Sequence, residues 1–446
     1  MAKIYEATLS GWGNYPKAKG KVVVPFGISD LRGSILPTII PRGLGRSYAD
    51  QSINEGGYVL DMRPLGRFLS FNGERGLLRA EAGVSLDEVL KVFIPRGWFP
   101  YITPGTKYVT LGGMVASDVH GKNHHREGSI SEHIASLTLL TPSGERLNLT
   151  PNDEEFWATV GGMGLTGIIL EVEMRMRPIE TSYITYRSVR VRNIDEMLAV
   201  FDDNDPYYTY SVAWIDCLSS GKNLGRGVVM FGEHARLSEL PKSLARKPLF
   251  YRRKLKVRFP IWAPSFLLND LTMAVFNWLY YTTHPPYEGF VDYERFFYPL
   301  DAIDDWNRAY GRRGFIQFQF VVPESDTMVR VLERIVKHGG GSFLAVLKRM
   351  GKQRGYLPFG MPGWTLALDF PIKPGLFDFL KPLMRDIVAQ GGRFYLTKDA
   401  LMDGEIFRAS YPDFPKWYEI RRRLDPEGVL SSNLARRLGM DSPSGI

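Results

Sequence analysis

The sequence of 446 residues has a single cysteine, Cys217. One cysteine excludes an intrachain disulfide, a Cys-x-x-Cys redox pair and a thiolate-based metal site. The sequence also lacks any uninterrupted apolar run of about 18 residues, so we expect no membrane-spanning helix. Its first residues, MAKIYEATLSGWG, contain no apolar segment that would predict a secretory signal peptide.

Two familiar nucleotide motifs are missing as well. Gly43-Leu-Gly45 begins like the dinucleotide fingerprint G-x-G-x-x-G, but Tyr48 stands at the third glycine position, which excludes the Rossmann pattern. No Gly-Lys pair in the sequence is followed by Ser or Thr, so a P-loop nucleotide site is excluded too.

Length and charge indicate the number of domains and the kind of binding partner. A chain of 446 residues is longer than the roughly 250–300 residues that one hydrophobic core serves, so we expect two domains. The net charge of +8 is concentrated in residues 246–258, RKPLFYRRKLKVR. Charge is balanced elsewhere, so nucleic-acid binding is not expected. Residues 262–281, WAPSFLLNDLTMAVFNWLYY, follow this basic segment. A basic segment leading into such a stretch resembles an interfacial membrane element, and the alternative is a solvated loop before a core helix.

Hydrophobic periodicity predicts an α+β fold. In the first 180 residues, strand patterns lie at 58–62, 77–83 and 167–178, a hairpin at 136–150, and a helix begins near Ser85. From about Ile184 the predicted strands are longer and more aromatic: 208–216, 315–323, 343–351 and 364–373, with helices such as 326–338 between them.

These later strands predict an antiparallel sheet with one polar face. A period of two places Gln317 and Gln319 on one face of their strand, and Thr365, Ala367 and Asp369 on one face of theirs. Such a face either borders a polar ligand pocket or is exposed to solvent.

Two glycine-rich segments carry the strongest chemical signal. They are residues 39–50, IIPRGLGRSYAD, and residues 104–129, PGTKYVTLGGMVASDVHGKNHHREGS. Because glycine lets backbone N–H groups approach a phosphate, two such loops predict a dinucleotide held between them. We predict no metal site at His120, His124 and His125, because no further ligand is near in sequence; an exposed, solvated turn is the alternative for this histidine segment.

The sequence resembles the flavin-dependent decaprenylphosphoryl-β-D-ribose 2-oxidases, a family of the vanillyl-alcohol-oxidase/PCMH class. The resemblance runs almost end to end. It rests on GWG (11–13), RGLGRSY (42–48), PGT (104–106), HGKNHH (120–125), FWATVGGMGLTGII (156–169), NRAYG (307–311), FQF (318–320), PGW (362–364), DFPIK (369–373) and YLTKD (395–399).

This resemblance implies a two-domain, PCMH-type FAD-binding fold with an inserted antiparallel-sheet substrate domain. The FAD-binding domain would span residues 1–181, the substrate domain 182–392, and a C-terminal segment, 393–446, would return to the first domain. The implied FAD contacts come from the two glycine-rich loops and two later positions: Arg42, Gly43, Leu44, Gly45, Arg46, Ser47, Tyr48, Asp50, Gly105, Thr110, Leu111, Gly112, Gly113, Ser117, Asp118, Val119, His120, Ile169 and Tyr395.

The implied catalytic residues are Lys398, His120 and Tyr48, with Lys398 as the cation that stabilises reduced flavin. Which of the three accepts the hydroxyl proton is left to geometry. The implied substrate contacts are Trp214, Gln317, Gln319, Lys348, Thr365 and Ala367. Tyr395 and Lys398 would fall on opposite faces of one strand, so Lys398 should lie past the strand end or after a bulge.

The implied reaction is oxidation of the ribose 2-hydroxyl of a polyprenyl-phosphoryl-β-D-ribose, the first half of an epimerisation that supplies arabinose for cell-envelope glycans. An NAD-dependent short-chain reductase would complete it. The implied location is the cytoplasmic side of the membrane, as a peripheral protein, with the cell-envelope face as the alternative. Competing functions are an aldonolactone or free-sugar oxidase and a non-catalytic subunit that binds FAD or lipid.

The sequence also departs from the family pattern. Ala367 and Ser117 replace cysteines of actinobacterial members, Thr365 replaces an asparagine, and Phe297 replaces a pocket tyrosine. These changes leave the exact lipid and sugar open. Arg46 stands where related oxidases attach FAD through histidine, and the second loop contains no cysteine, so we predict non-covalent FAD, with Arg46 donating to the pyrophosphate.

Overall fold

The structure is a computed structural model that describes residues 2–33, 36–251, 257–264, 269–339 and 344–441. Four basic residues of the segment noted above, Arg252, Arg253, Lys254 and Lys256, lie outside these ranges.

A small mixed sheet opens the chain. It has the strand order β1-β2-β4-β3, in which β1 and β2 form an antiparallel hairpin while β4 runs parallel to both β2 and β3. The strands are β1 (Lys3–Ser10), β2 (Lys17–Val24), β3 (Ile39–Arg42) and β4 (Tyr58–Asp61). Because β3 ends at Arg42, the first glycine-rich loop leaves this sheet at its edge.

A second sheet packs beside it with the order β5-β6-β10-β8-β9, and β7 pairs with the far end of β10. Ser85 caps the first helix of this region, which begins where the sequence predicts, and the structure adds a capping box between Ser85 and Glu88. The elements are β5 (Phe68–Asn72), β6 (Leu77–Glu81), α1 (Leu86–Phe93), β7 (Trp98–Pro100), α2 (Leu111–Ala116), α3 (His124–Glu127), β8 (Ile134–Leu140), β9 (Arg146–Leu149), α4 (Glu154–Thr159) and β10 (Ile168–Pro178).

The second half of the chain forms an eight-stranded sheet in the described residues. Its order is β15-β11-β13-β12-β18-β19-β17-β20, and every neighbouring pair is antiparallel. The elements are β11 (Tyr183–Val191), α5 (Ile194–Asn204), β12 (Tyr210–Ile215), β13 (Gly227–His234), α6 (Lys242–Ala245), β14 (Val257–Arg258), α7 (Asp270–Thr283), β15 (Tyr287–Asp292), α8 (Tyr293–Phe297), β16 (Ile303–Asp304), β17 (Phe315–Val322), α9 (Ser325–His338), β18 (Ala345–Met350), β19 (Gly363–Pro371), α10 (Leu376–Ala389) and β20 (Arg393–Phe394).

The C-terminal helices return to the first region of the chain. They are α11 (Gly404–Ser410), α12 (Phe414–Leu424) and α13 (Asn433–Leu438). Trp417 donates through its indole N–H to the carbonyl of Ala158, and Leu430 bridges to Ile39. The strand β20, although it opens the predicted C-terminal segment, pairs with β17 and so belongs to the large sheet.

The predicted mixed α+β class is confirmed, and so are the strands and the hairpin named above. The strand predicted at 343–351 begins at Ala345, and Phe343 lies outside the described residues. The helix in the stretch 262–281 is not the core helix that the sequence offered as one alternative. Its helix α7 leaves several apolar side chains exposed, among them Leu271 at 74% and Trp278 at 57%.

Candidate active site

One cavity of about 700 Å³ lies between the two glycine-rich loops and the polar face of the large sheet. Residues of both loops form one side of it, and residues of β12, β17, β18 and β19 form another. A third part of the wall is aromatic and comes from Phe276 and Tyr280 of α7 and Phe296 of α8. Loops, sheet and helix α7 therefore face a single space.

The two glycine-rich loops are pressed against each other. A Cβ atom at Gly43 would lie 2.1 Å from Thr110 Oγ1, so only glycine permits this approach. Gly45 has a φ of +64°, in the left-handed region that favours glycine. Thr110 caps α2 by accepting a hydrogen bond from the N–H of Gly113. The loop conformations therefore follow directly from the glycine positions in the sequence.

The first loop has backbone donors that the described part of the protein does not use. Within the described residues, the backbone N–H groups of residues 43–47 donate to no other group of the protein, although all five residues line the cavity. Consecutive free N–H groups in a non-helical loop form a site for an anion such as a pyrophosphate. The guanidinium of Arg46, which lies 3.9 Å above the ring of Trp12, adds positive charge at the same wall. This donor set fits the pyrophosphate of FAD.

Arg42 also lines the cavity, but its guanidinium is engaged in holding the loop. It donates to the carbonyl of Ser10 over 2.8 Å and to the carbonyl and hydroxyl of Ser52 over 3.1 and 3.2 Å. Burial, and to a smaller extent the nearby Arg63, lowers the pKa of Arg42 to about 10. Arg42 therefore joins the first strand to the loop at the cavity edge.

A row of directly opposed residues crosses four strands of the large sheet and faces the cavity. Trp214 on β12 is opposite Val346 on β18, Val346 is opposite Ala367 on β19, and Ala367 is opposite Gln319 on β17. Directly opposed residues share a face of a sheet. The expectation that the sheet has a polar face bordering a cavity is thus met at Gln319 and at Gln317, two residues along the same strand.

Lys398 is held on a turn just past the end of β20, where the alternation argument expects it. Its N–H donates to the carbonyl of Tyr395, whose hydroxyl donates to the carbonyl of Ser117 over 2.8 Å. Gln51 anchors the turn by donating to the carbonyls of Leu396 and Asp399. Both Tyr395 and Lys398 consequently reach the cavity.

Arg437 on α13 fixes the same turn from the other side. It donates twice to the carboxylate of Asp50, over 2.8 and 2.9 Å, and once to Asp399 over 2.7 Å. Burial lowers the pKa of Arg437, but the two buried carboxylates outweigh that effect and raise the pKa above its ordinary value. This buried cluster ties the first loop, the Lys398 turn and the C-terminal helix together.

Burial shifts the pKa values of Lys398 and of the nearby Asp369 towards neutral pH. The Nζ of Lys398 is 3.6 Å from the centroid of the Tyr48 ring, and burial lowers the pKa of Lys398 to about 7, against the opposing effect of Asp369. Burial likewise raises the pKa of Asp369 to about 7. The Asp369 carboxylate accepts hydrogen bonds from Gln317 over 2.6 Å and from the Tyr310 hydroxyl over 3.2 Å. A lysine and a carboxyl thus share a buried site that titrates near neutral pH.

Burial fixes the protonation of the other two predicted catalytic residues. It raises the pKa of Tyr48 well above 10, so this residue is a neutral phenol at neutral pH. It also lowers the pKa of His120 well below 6.5, so the imidazole is neutral. Gln319 donates to His120 Nε2 over 3.2 Å, while Nδ1 has no hydrogen-bond partner within the described residues. Phe359 stacks on the imidazole at 5.4 Å between ring centroids.

Most of the predicted site residues line this one cavity. From the sequence prediction these are Arg42, Gly43, Leu44, Gly45, Arg46, Ser47, Tyr48, Gly105, Thr110, Gly112, Gly113, Ser117, Val119, His120, Ile169, Trp214, Gln317, Gln319, Lys348, Ala367, Tyr395 and Lys398.

Four predicted residues do not line the cavity. Asp50 is engaged with Arg437, and Leu111 is fully buried on the core side of α2. The Asp118 carboxylate accepts hydrogen bonds from Ser131 and Gln353. Thr365 is buried beneath Gln319, which donates to its hydroxyl over 3.3 Å. Each supports a neighbour of the cavity rather than its surface.

The histidine segment is not the exposed turn considered as an alternative from sequence. His120 and His124 are buried, and His124 Nδ1 accepts a hydrogen bond from the N–H of Gly351 on the large sheet's side. Within the described residues, no group of three or more His, Cys, Asp or Glu side chains is arranged to hold a metal ion.

Sequence reasoning missed Lys122 as a site residue and did not assign a role to Asp369. Lys122 lies in HGKNHH, between two positions singled out for their histidines, yet its ammonium meets Phe296, 174 residues away. Asp369 was placed on the correct face, but its partners Tyr310 and Gln317 could not be paired with it from spacing alone.

Comparisons with known proteins agree with this geometry. Residues 37–150 match the family model described as an FAD binding domain. The chain is 42% identical over 408 residues to the decaprenylphosphoryl-beta-D-ribose oxidase of Mycolicibacterium smegmatis, covering 90% of this chain and 89% of that protein. It is 33% identical over 371 residues to an uncharacterized Streptomyces coelicolor protein, covering 80% of this chain and 100% of that one. A shorter match, 32% over 129 residues, joins it to the D-2-hydroxyglutarate dehydrogenase of Escherichia coli, covering 28% of this chain and 12% of that enzyme.

Proposed function

The chain belongs to the decaprenylphosphoryl-β-D-ribose oxidase family and is an FAD-dependent oxidoreductase, and from this we propose that it oxidises the 2-hydroxyl of a polyprenyl-phosphoryl-β-D-ribose to the 2-keto sugar. The observation that carries the proposal is the single cavity. It joins a pyrophosphate-type donor loop, a polar sheet face with Gln317, Gln319 and Lys398, and an aromatic wall from α7 and α8. A cofactor, a sugar and a prenyl chain each have a matching wall.

FAD, when bound between the two glycine-rich loops, supplies the hydride acceptor. The protein's own residues bind, orient and balance charge around it. Lys398 provides a cation that stabilises the negative charge left after hydride transfer. Tyr48 is a neutral phenol whose hydroxyl accepts a hydrogen bond from Gln317 over 3.3 Å, so it is not the proton acceptor. Because Lys398 acts in its protonated form, the neutral imidazole of His120 is the group that can receive the hydroxyl proton.

Helix α7 supports a lipid substrate and contact with a membrane surface. Leu271, Val275, Trp278 and Leu279 are exposed on it. On its opposite side, Asn277 is buried and donates to Asp216 over 2.7 Å. An anchored helix that presents apolar and aromatic side chains outward is typical of an element lying in the membrane interface. No helix in the described ranges has the length and apolar character needed to cross a bilayer.

The same helix links that outer surface to the cavity. Tyr280 lines the cavity and packs on Trp214 with 4.5 Å between ring centroids, and Phe276 lines it one turn earlier while remaining partly exposed. We propose that the prenyl chain leaves the cavity along this side of α7. The basic residues 252–256 precede this region in sequence and would favour anionic lipids.

Two further elements of the proposal rest on the family relationship. The 2-keto product would pass to an NAD-dependent short-chain reductase, which completes the epimerisation. The protein would act as a peripheral membrane protein on the cytoplasmic side, with the cell-envelope face as the alternative.

Anaerobic titration of the purified protein tests the proposed reaction. The protein should be yellow, and farnesylphosphoryl-β-D-ribose should bleach its flavin absorbance. Free aldonolactones should leave the spectrum unchanged. Bleaching by the lactones and not by the prenylphosphoryl sugar would replace this proposal with a free-sugar oxidase, and bleaching by neither would favour a non-catalytic subunit.

A further inference from the structure

Two lysine side chains in the cavity have no carboxylate partner within the described residues. Lys122 donates to the backbone carbonyl of Phe296 and lies 4.3 Å from the centroid of that residue's ring. Lys348 makes a long contact of 3.4 Å with the carbonyl of Gly121. Both line the cavity, and both are enclosed by protein with part of their surface facing that space.

Enclosure without a counter-charge is costly for an ammonium group. Burial, and to a smaller extent the positive charge of Lys348, lowers the pKa of Lys122 to about 7. Burial also lowers the pKa of Lys348 to about 8. An anion placed between them would offset both effects, because it would supply the missing negative charge.

Lys107 is a buried lysine that has carboxylate partners, and it serves as a comparison. Lys107 does not line the cavity and forms ion pairs with Asp87, over 2.9 Å, and with Glu294. These partners raise the pKa of Lys107 above its ordinary value despite burial. The cavity lysines differ from Lys107 in having main-chain carbonyls as partners where Lys107 has carboxylates.

The location of Lys122 suits one anion in particular. Its ammonium meets Phe296 on α8, within the aromatic wall that also contains Phe276 and Tyr280. Lys348 lies on β18, two residues from Val346 in the row that faces the cavity, and its charge acts on the pKa of both Lys122 and Lys398. In a prenyl-phosphoryl ribose, the phosphate joins the apolar chain to the sugar carbon next to the one that is oxidised. The cation pair therefore stands where the aromatic wall meets the polar sheet face.

We propose that Lys122 and Lys348 bind the phosphodiester of the substrate, and that Lys122 is the residue that distinguishes a phosphoryl-linked riboside from a neutral one. This inference deepens the proposed function and rests on it for the identity of the sugar and lipid. It assigns Lys122 to binding and positioning, with no part in proton or hydride transfer.

The test compares Lys122→Met, Lys122→Arg and a control, Lys381→Met, which removes an exposed lysine on α10. Each holoenzyme is titrated with farnesylphosphoryl-β-D-ribose, neutral farnesyl β-D-riboside, farnesyl monophosphate and farnesol, with flavin absorbance and turnover as readouts. Losing a hydrogen bond to a charged group typically weakens binding on the order of 10- to 100-fold.

We expect Lys122→Met to raise KM for the phosphoryl sugar and Kd for farnesyl monophosphate by that factor, with little change in kcat. Binding of the neutral riboside and of farnesol should be unchanged, Lys122→Arg should restore most of the affinity, and Lys381→Met should match the parent. Equal losses for phosphorylated and neutral ligands would overturn the inference, and so would no loss at all.

Two measurements keep the inference testable if Lys122→Met does not fold. Lys348→Met should show the same discrimination, and the parent should bind farnesyl monophosphate at least about 10-fold more tightly than farnesol. Equal affinity of the parent for those two ligands would overturn the phosphate site. This comparison needs no turnover, so a parent that binds the phosphate but leaves every riboside unoxidised would contradict the proposed function and keep the inference.

Discussion

Replacing Asp369 by asparagine should shift the pH dependence of flavin reduction. The carboxylate of Asp369 raises the pKa of Lys398, whose burial otherwise lowers it. Asparagine removes the negative charge and keeps one side-chain oxygen, which can accept from Gln317 or from Tyr310, while its NH2 group replaces the second oxygen. The substitution therefore tests the charge of Asp369 with little change in shape.

The expected shift in the pKa of Lys398 follows from the loss of the negative charge of Asp369. An opposite charge at close range typically moves a pKa by about 1 to 3 units. The pKa of Lys398 is about 7 with Asp369 present, so its protonated form is lost as the pH rises through about 7. A bound anionic ligand would raise this pKa, because it favours the protonated lysine. In Asp369→Asn this loss should occur at a pH about 1 to 2 units lower.

Anaerobic stopped-flow measurement of flavin reduction between pH 5.5 and about 9 gives the profile, since bell- or sigmoid-shaped rates report such groups. The parent rate should fall as the pH rises past the pKa of Lys398. The variant should approach the parent at low pH and be about 10- to 100-fold slower on the alkaline side. Asp378→Asn, an exposed position on α10, is the matched control and should keep the parent profile. An Asp369→Asn profile that coincides with the parent's would refute the electrostatic coupling.

Four further predictions concern catalysis, the cofactor and the membrane. Lys398→Met should retain folded protein and FAD yet slow flavin reduction by at least ~100-fold, and parent-like single-turnover rates would show that another group balances the charge. Acid or heat denaturation should release all the yellow colour, because Arg46 stands at the attachment position and the lone cysteine, Cys217, is buried away from the cavity; flavin fluorescence that migrates with the chain on a denaturing gel would contradict this. Trp278→Ser with Leu279→Ser should weaken binding to anionic vesicles about 10-fold or more without lowering turnover of a short-chain soluble substrate, and unchanged vesicle sedimentation would leave α7 without a role at the membrane. Neutralising Arg252, Arg253, Lys254 and Lys256 together should also weaken vesicle binding, at about 1 kcal/mol per residue near the surface, with the same sedimentation assay as the measure.

Local patterns were sufficient for the elements that carry their own signal. The alternation of FIQFQFVV predicts both the strand β17 and the shared face of Gln317 and Gln319, because side chains alternate strictly in a strand. Ser85 likewise marks the start of α1, because a serine at this position caps a helix with its own side chain. Such features depend on neighbours in sequence, so the sequence alone contains them.

Contacts between distant segments were beyond the same reasoning. The histidines of HGKNHH are polar and clustered, so an exposed turn was one expected outcome, but the large sheet covers them and Gly351 donates to His124. Nothing in the sequence indicated that Lys122 contacts Phe296, which lies 174 residues away. The sequence prediction also placed Asp50 among the FAD contacts, whereas in the structure Asp50 accepts hydrogen bonds from Arg437. The resemblance to a known family supplied the cavity residues that periodicity could not bring together.

The buried cluster around Arg437 has a consequence for the timing of biosynthesis. Asp50 and Arg437 are 387 residues apart, and their ion pair helps to hold the turn that carries Lys398. A ribosome-bound chain that has not yet released α13 lacks this anchor both at the first glycine-rich loop, through Asp50, and at the Lys398 turn, through Asp399. The first loop and the Lys398 turn should therefore reach their final arrangement only after residue 437 has left the ribosome, so FAD binding and catalysis should appear together rather than in sequence.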